Sequence, residues 1–367
     1  MFLARLLVLF SLVCISCAHS SFEQKQLKHA LDFATSNRLE LEILLQHYTY
    51  DSLKLEAAKF LIRNMPHCYS YQQGGEMDSV KRVRTYYSPF GQIDQTYARR
   101  WGHYTYRNLP KIYDAHIITA EYLIDNIDRA FDNWQKRPWN RSLSFEDFCE
   151  YLLPYRIGDE PLEEWRELYE KKYGYLLDSI YKGSDVVEAA NLVSRHLQEP
   201  VFIYCEDFEL PHIGPRYLFS HRYGSCVDAA DIVTYAFRAV GIPCMEDTDA
   251  RGGHVWNVVR DTTGRDVPIW YIASEAVRGS RDTGGYKRGK VYRPMYGFQE
   301  EKAAHLGDDW KSMPLLFYHP YMKDVSYAYY PDTLRILTGI PDDEVCYLAH
   351  FHEAHWWSCA CARSGNT

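Results

Sequence analysis

Two residues of this chain could do covalent chemistry together, Cys226 and His254. Cys226 lies in Tyr223-Gly-Ser-Cys226-Val-Asp228, and His254 in Gly253-His254-Val-Trp256. A thiol attacks only as thiolate, and its pKa falls at a helix N-terminus or beside an imidazolium. The local sequence predicts such a helix start. Ser225 is a good N-cap, and Asp228 stands where a capping residue reaches back, which puts Cys226 at the first helical position. Ala229, Ala230, Val233, Ala236, Phe237 and Val240 continue one apolar face, and Gly241 with Pro243 ends the helix. N–H groups at the helix start could also hold a developing oxyanion. His254 follows the flexible Arg251-Gly-Gly253 and opens a strand, Val255 to Val259. A base must come within hydrogen-bond reach of the sulfur, and a strand packed on the cysteine's helix achieves that. The plain alternative is a core cysteine and a core histidine. The capped helix and the glycine-flanked histidine favour chemistry.

Gly224-Ser-Cys226-Val-Asp228-Ala229, Phe237-Arg-Ala-Val-Gly241-Ile-Pro243 and His254-Val-Trp256 together resemble the core of the transglutaminase-like family. Phe148-Cys-Glu-Tyr-Leu-Leu-Pro-Tyr-Arg156 and Glu160-Pro-Leu-Glu-Glu-Trp165 resemble the N-terminal part of its exported bacterial members. The resemblance implies a papain-like fold, with Cys226 as nucleophile and His254 as general base. It also implies an orienting aspartate on the strand after the histidine, near a Trp-x-x-x-Asp ending. Here that region reads Val267-Pro-Ile-Trp-Tyr-Ile-Ala-Ser-Glu275, without an aspartate. If a hairpin turns near Thr263, His254 lies opposite residues around 272, and Asp266 faces Arg260. Asp266 is then on the order of 20 Å from His254 along the strand. Glu275 is therefore the expected orienter, with Ser274 as a weaker substitute. Without an orienter the imidazole tautomer is less well fixed, and turnover drops by about four orders of magnitude.

The positioning elements follow from periodicity. Phe22 to Met65 is helical, and helical spacing returns from Ile112 to Trp134. Ser144-Phe-Glu-Asp147 opens another helix by a capping box and Pro154 ends it; Glu163 to Lys172 reads as a charged surface helix. Val186 to Leu197 is a helix and Val201 to Tyr204 a short strand. A turn at Asp261-Thr-Thr-Gly264 joins Val255–Val259 to a strand from Val267 to Ile272. Strand-like pieces recur at Leu334 to Ile336 and Val345 to Leu348. The fold class is α+β. An α-helical domain (21–170) precedes a papain- or transglutaminase-like core (171–300), in which the cysteine helix packs on an antiparallel sheet. A short β-rich segment (301–367), which reads as an incomplete module, closes the chain.

Composition sets the outer limits. At 367 residues, with 46% hydrophobic and 25% charged residues, the chain has the make-up of a globular protein of two or three domains. A net charge of −8 with no basic stripe argues against nucleic acid. The 31 tyrosines suit amphipathic packing or a groove for peptide or sugar. Arg5, the apolar run Leu6 to Ile15 and Ser16-Cys17 read as an export signal in residues 1–20. Cys17 is then either lost with that signal or becomes the lipidated first residue of an envelope lipoprotein, the chain's one membrane attachment.

Cys68, Cys149, Cys205, Cys226, Cys244, Cys346, Cys359 and Cys361 are scattered singly, as buried thiols are. His350, His352 and His355 are dense, but alternation separates His355 from the other two, so no metal is expected. Asp147, Glu150, Glu160, Glu163 and Glu164 read as solvated charge rather than a glycosidase pair. Arg156 and Arg166 either contact substrate or pin the helical domain to the core. No phosphate loop, dinucleotide fingerprint or calcium loop is present, and no cofactor is expected. The expected activity is thiol-dependent acyl transfer at an amide or peptide bond, as peptidase or amidase before crosslinking transferase. Its partner is a protein or peptide, peptide-glycan included. The competing reading is a catalytically weakened binding protein of the cell envelope.

Overall fold

A computed structural model describes residues 22–75, 77–79, 81, 106–204, 210–249, 253–272, 274–280, 290–300, 319–330, 345–352 and 355–363. The chain is α+β. Residues 22–33, Arg38–His47 and Ser52–Asn64 are helical, and Asp51 caps the last of these by accepting the Lys54 N–H at 3.1 Å. Strand β1 (Tyr69–Tyr71) then pairs antiparallel with β2 (Lys111–Tyr113). The helix expected from Ile112 thus starts later, at Ala120, where Thr119 accepts the Tyr122 N–H. It runs to Lys136. Ser144 caps Phe145–Tyr151 through the Asp147 N–H, as its sequence predicts.

The next helix corrects the expectation of a solvated surface segment. It spans Arg166–Tyr175 and buries Arg166, Tyr169 and Tyr173 against the cysteine's helix. Charge spacing misled here because Arg166 is itself internal. Its guanidinium donates to Asn126 Oδ1 and to the carbonyls of Leu152, Leu153, Pro154 and Arg238. Arg156 is clamped on Asp114, and both arginines therefore pin elements together. The helix Val186–Leu197 follows, capped by Asp185.

Strand β3 (Ile203–Tyr204) lies parallel to β4 (Tyr223–Gly224), with the short helix Pro215–Ser220 between them in sequence. The helix Cys226–Ala239 comes next, then β5 (Cys244–Asp249), β6 (Val255–Arg260) and β7 (Asp266–Ile269). With β8 (Val291–Pro294) and β9 (Met322–Asp324) these form an antiparallel sheet of order β7-β6-β5-β8-β9. Helix Ser326–Tyr329 follows β9, and β10 (Val345–His352) pairs with β11 (His355–Arg363) as a separate hairpin.

Among the described residues two large apolar cores result, beside a small cluster of Tyr71, Met77 and Tyr106. One gathers Leu41, Leu61, Ile127, Phe131 and Phe148 from the N-terminal helices, and Tyr296 joins it from the far end of the chain. The other gathers Trp165, Val193, Ile232, Phe237, Trp256 and Ile269 around the Cys226 helix and its sheet. Residues 133–140 hold the C-terminus of that helix. Asn133, Arg137, Trp139 and Asn140 donate to the carbonyls of Ala239, Val240 and Gly241, which a helix end leaves unpaired. Gly241 adopts φ +81°, and a Cβ there would meet Asn133 O at 2.9 Å.

No helix among the described residues is long and apolar enough to cross a membrane. The expected signal with Cys17, and the strand at 334–336, lie outside the described residues, as does Cys205.

Candidate functional site

Cys226 is the first residue of its helix, as capping chemistry predicts. Asp228 Oδ2 accepts the Ser225 N–H at 2.8 Å and the Ser225 hydroxyl at 3.1 Å. Gly224 makes this possible: a Cβ at 224 would sit 2.3 Å from Asp228 Oδ2. Cys226 is buried and is a thiol rather than half of a disulfide. Cys68, Cys149 and Cys244 are buried thiols too, and burial pushes them up, Cys68 and Cys244 to about 12.

His254 stands just ahead of β6 and is 2% exposed. Its carbonyl accepts the Asp249 N–H and the Thr248 hydroxyl, each at 3.2 Å. Asp249 also takes the Gly253 N–H on its carboxylate, so the end of β5 clamps the peptide that carries the histidine. The imidazole stacks on Trp256 at 5.6 Å and meets the edge of Trp270 at 4.6 Å.

Register relates the two residues. Asn257 on β6 donates to Ala230 O and Thr234 Oγ1 of the helix, and Arg238, further along the helix, donates to Cys244 O. Cys244 pairs with Val259. Helix and strand therefore run the same way, and what precedes Ala230 lies toward what precedes Asn257. Cys226 is one turn before Ala230, about 6 Å back; His254 is on the order of 10 Å back from Asn257. Both stand at the same end of the helix-on-sheet packing.

The expected third residue does not join them. Glu275 is 54% exposed, and its Oε1 accepts from Arg195 Nη1 at 2.6 Å. The cause is a turn. β6 and β7 pair as expected, with Arg260 opposite Asp266, but the ladder stops at Ile269. The chain then doubles back so that Trp270 bridges Ser274, carrying Glu275 out to the Val186–Leu197 helix. Ser274 Oγ is buried without a hydrogen-bond partner. Asp266 instead joins Tyr151 and Arg293.

Several charged residues take roles that a reading of the sequence misses. His212 Nδ1 lies 2.9 Å from both oxygens of Asp231, which sits inside the Cys226 helix. Burial pushes the Asp231 carboxyl up to about 6, against the pull of His212. Burial, with the repulsion of Asp231, pushes Glu246 up to about 8. Burial raises Glu150 to about 7, where it accepts the N–H groups of Tyr296 and Gly297. It is thus an internal loop anchor rather than the solvated charge expected of it. No cluster among the described residues could hold a metal ion. No protein-family model, curated protein or solved structure matches the chain.

Proposed function

We propose that this protein carries out acyl transfer at amide or peptide bonds through Cys226, on a papain- or transglutaminase-like core, as an exported hydrolase of the cell envelope. One observation carries the reading: the register that brings the N-terminus of the Cys226 helix and the start of the His254 strand to the same end of one helix-on-sheet unit. The helix dipole favours the thiolate at that position. The sulfur attacks the carbonyl carbon and forms a C–S bond, while first-turn N–H groups meet the oxyanion. The C–N bond breaks as His254, which holds the proton taken from the Cys226 thiol, gives that proton to the leaving amine. Water, deprotonated by the same imidazole, then attacks the thioester and releases acid and thiol. The substrate is a protein or peptide, peptide-glycan included.

The engagement of Glu275 by Arg195 favours a second reading, in which the same unit binds peptide or glycan with little turnover. Limiting iodoacetamide near neutral pH, followed by adduct mapping, separates the two. Preferential labelling of Cys226 over Cys68, Cys149 and Cys244, reduced tenfold or more in His254→Ala, is expected of an activated thiolate. Even labelling across the four thiols sinks the catalytic reading.

A further inference from the structure

Three buried arginines around the Cys226 helix make no ion pair with a carboxylate among the described residues: Arg166, Arg238 and Arg222. Two of them are satisfied by neutral acceptors. Arg166 spends Nε, Nη1 and Nη2 on Asn126 and main-chain carbonyls. Arg238 spends its three nitrogens on Cys244 O, Arg156 O, Glu150 O and Met245 Sδ. Arg222 is different. It is 7% exposed, and its one side-chain bond is from Nη2 to Tyr173 OH at 2.6 Å. Nε and Nη1 are buried with no acceptor. Leaving charged donors unmet in an interior is strongly unfavourable, so a position that keeps them points to an acceptor that arrives from outside.

The surroundings give that acceptor a sign. Tyr271, 1% exposed, has a buried hydroxyl that is also without a partner. It lies in the electrostatic field of Arg222, Tyr173 and Asp228. Lys172 lies in the field of Arg222 too, with its ammonium over the rings of Tyr173 and Phe219. Asp228, the acid of this neighbourhood, has Oδ2 committed to Ser225. Among the described residues neither cation is ion-paired to a carboxylate, and the phenol is unmet. The location gives the site a purpose. Arg222 immediately precedes β4, which leads into Cys226, and Tyr271 follows Trp270, whose ring packs on His254.

We infer that Arg222, with Tyr173 and Tyr271, binds a carboxylate of the substrate, so that the amide cleaved lies close to a free acid group such as a peptide C-terminus. This rests on the reading of Cys226 as the nucleophile, and it turns a general amidase into one selective for acid-bearing peptides. A guanidinium and a phenol together offer the charge-assisted donors that a planar two-oxygen anion takes up.

The test is binding before turnover. Cys226→Ala protein is titrated calorimetrically with N-acetyl-glycyl-glycine, with its C-terminal amide, and with inorganic phosphate. The acid is expected to bind at least tenfold more tightly than the amide, and Arg222→Gln to abolish that preference. Tyr271→Phe, which removes one hydroxyl and keeps the ring, guards against a folding failure and is expected to weaken the acid two- to fivefold. Equal affinity for acid and amide, no binding of the acid, preference for phosphate, or an unchanged preference in Arg222→Gln each overturns the proposal. Binding of the acid by a protein whose Cys226 shows no selective alkylation leaves the carboxylate site standing and the catalytic reading fallen.

Discussion

Glu246 and Asp247 are neighbours on β5 and both are buried, yet alternation turns them to opposite faces of the sheet. Glu246 faces the Cys226 helix, where the Thr234 hydroxyl donates to it at 2.7 Å. Asp231 adds repulsion there, and burial pushes Glu246 up to about 8, so it is held as a neutral acid at pH 7. Asp247 faces the other way and is clasped by Arg293 through Nε at 2.6 Å and Nη2 at 2.9 Å. Tyr329 OH adds a bond of 2.6 Å to the same carboxylate, and Trp256 Nε1 donates to that phenol. One strand thus solves the cost of a buried acid twice, by protonation on the helix side and by ion pairing on the other. On the helix side, Glu246 takes up its proton within the range in which the protein is handled.

The harshest test of this contrast is Arg293→Met. It removes the cation from both Asp247 and Asp266, which Arg293 also contacts at 2.6 Å. Breaking a buried pair from one side costs about 3–5 kcal/mol, because a carboxylate is stranded. Urea unfolding at pH 7 should show a loss of that order. A loss below about 1 kcal/mol would mean that the Arg293 clasp is not what makes Asp247 tolerable inside, and the contrast between the two faces would fall.

A smaller effect comes from Glu246→Gln, and here pH is the readout. In the folded protein Glu246 keeps its proton up to about pH 8, whereas the unfolded chain releases it near 4.5. Between those values the native state binds more protons than the unfolded one, so this group lowers stability as pH rises through the window. Asp231, His212 and Arg238 act on the same site. Glutamine keeps an acceptor for Thr234 and does not titrate. Its melting temperature should gain on the parent protein from pH 5 to pH 8 and level off above. Parallel curves would show that Glu246 does not carry the titration.

This strand also marks where reading the sequence stops. The Cys226 helix was legible to within a residue, because Ser225, Asp228, an apolar stripe and Gly241 act locally. The helix Val186–Leu197 and the turn at Asp261, whose carboxylate caps Thr263 and Arg265, were legible for the same reason. β5 was not. Cys-Met-Glu-Asp-Thr-Asp carries no strand signal of its own, and only partners far away in sequence, Arg293 and Tyr329 among them, make its acids tolerable inside. Glu275 failed differently. Extending the β6–β7 ladder past Ile269 placed it near His254, but the Trp270–Ser274 turn sends it to Arg195. Arg222 left no local signature at all, since its meaning lies in bonds it does not make.

The mildest perturbation sharpens the contrast most finely, because it touches the ion-paired face without removing a charge. Trp256→Phe deletes one neutral donor, the indole N–H that reaches Tyr329 OH at 2.8 Å. Asp247 keeps both Arg293 nitrogens and the Tyr329 phenol, so no buried charge is stranded. The loss should be about 1 kcal/mol, the ordinary worth of one such bond, with slight slack from the smaller ring. Stability should fall equally at pH 5 and pH 8, since the one hydrogen bond removed is to a phenol that burial keeps protonated across that range. The Trp270 edge still holds the His254 imidazole, so Cys226 alkylation should stay within about twofold of the parent. A pH-dependent loss would show that protonation on the helix side is felt across the sheet, and the two faces would then have to be treated as one coupled network.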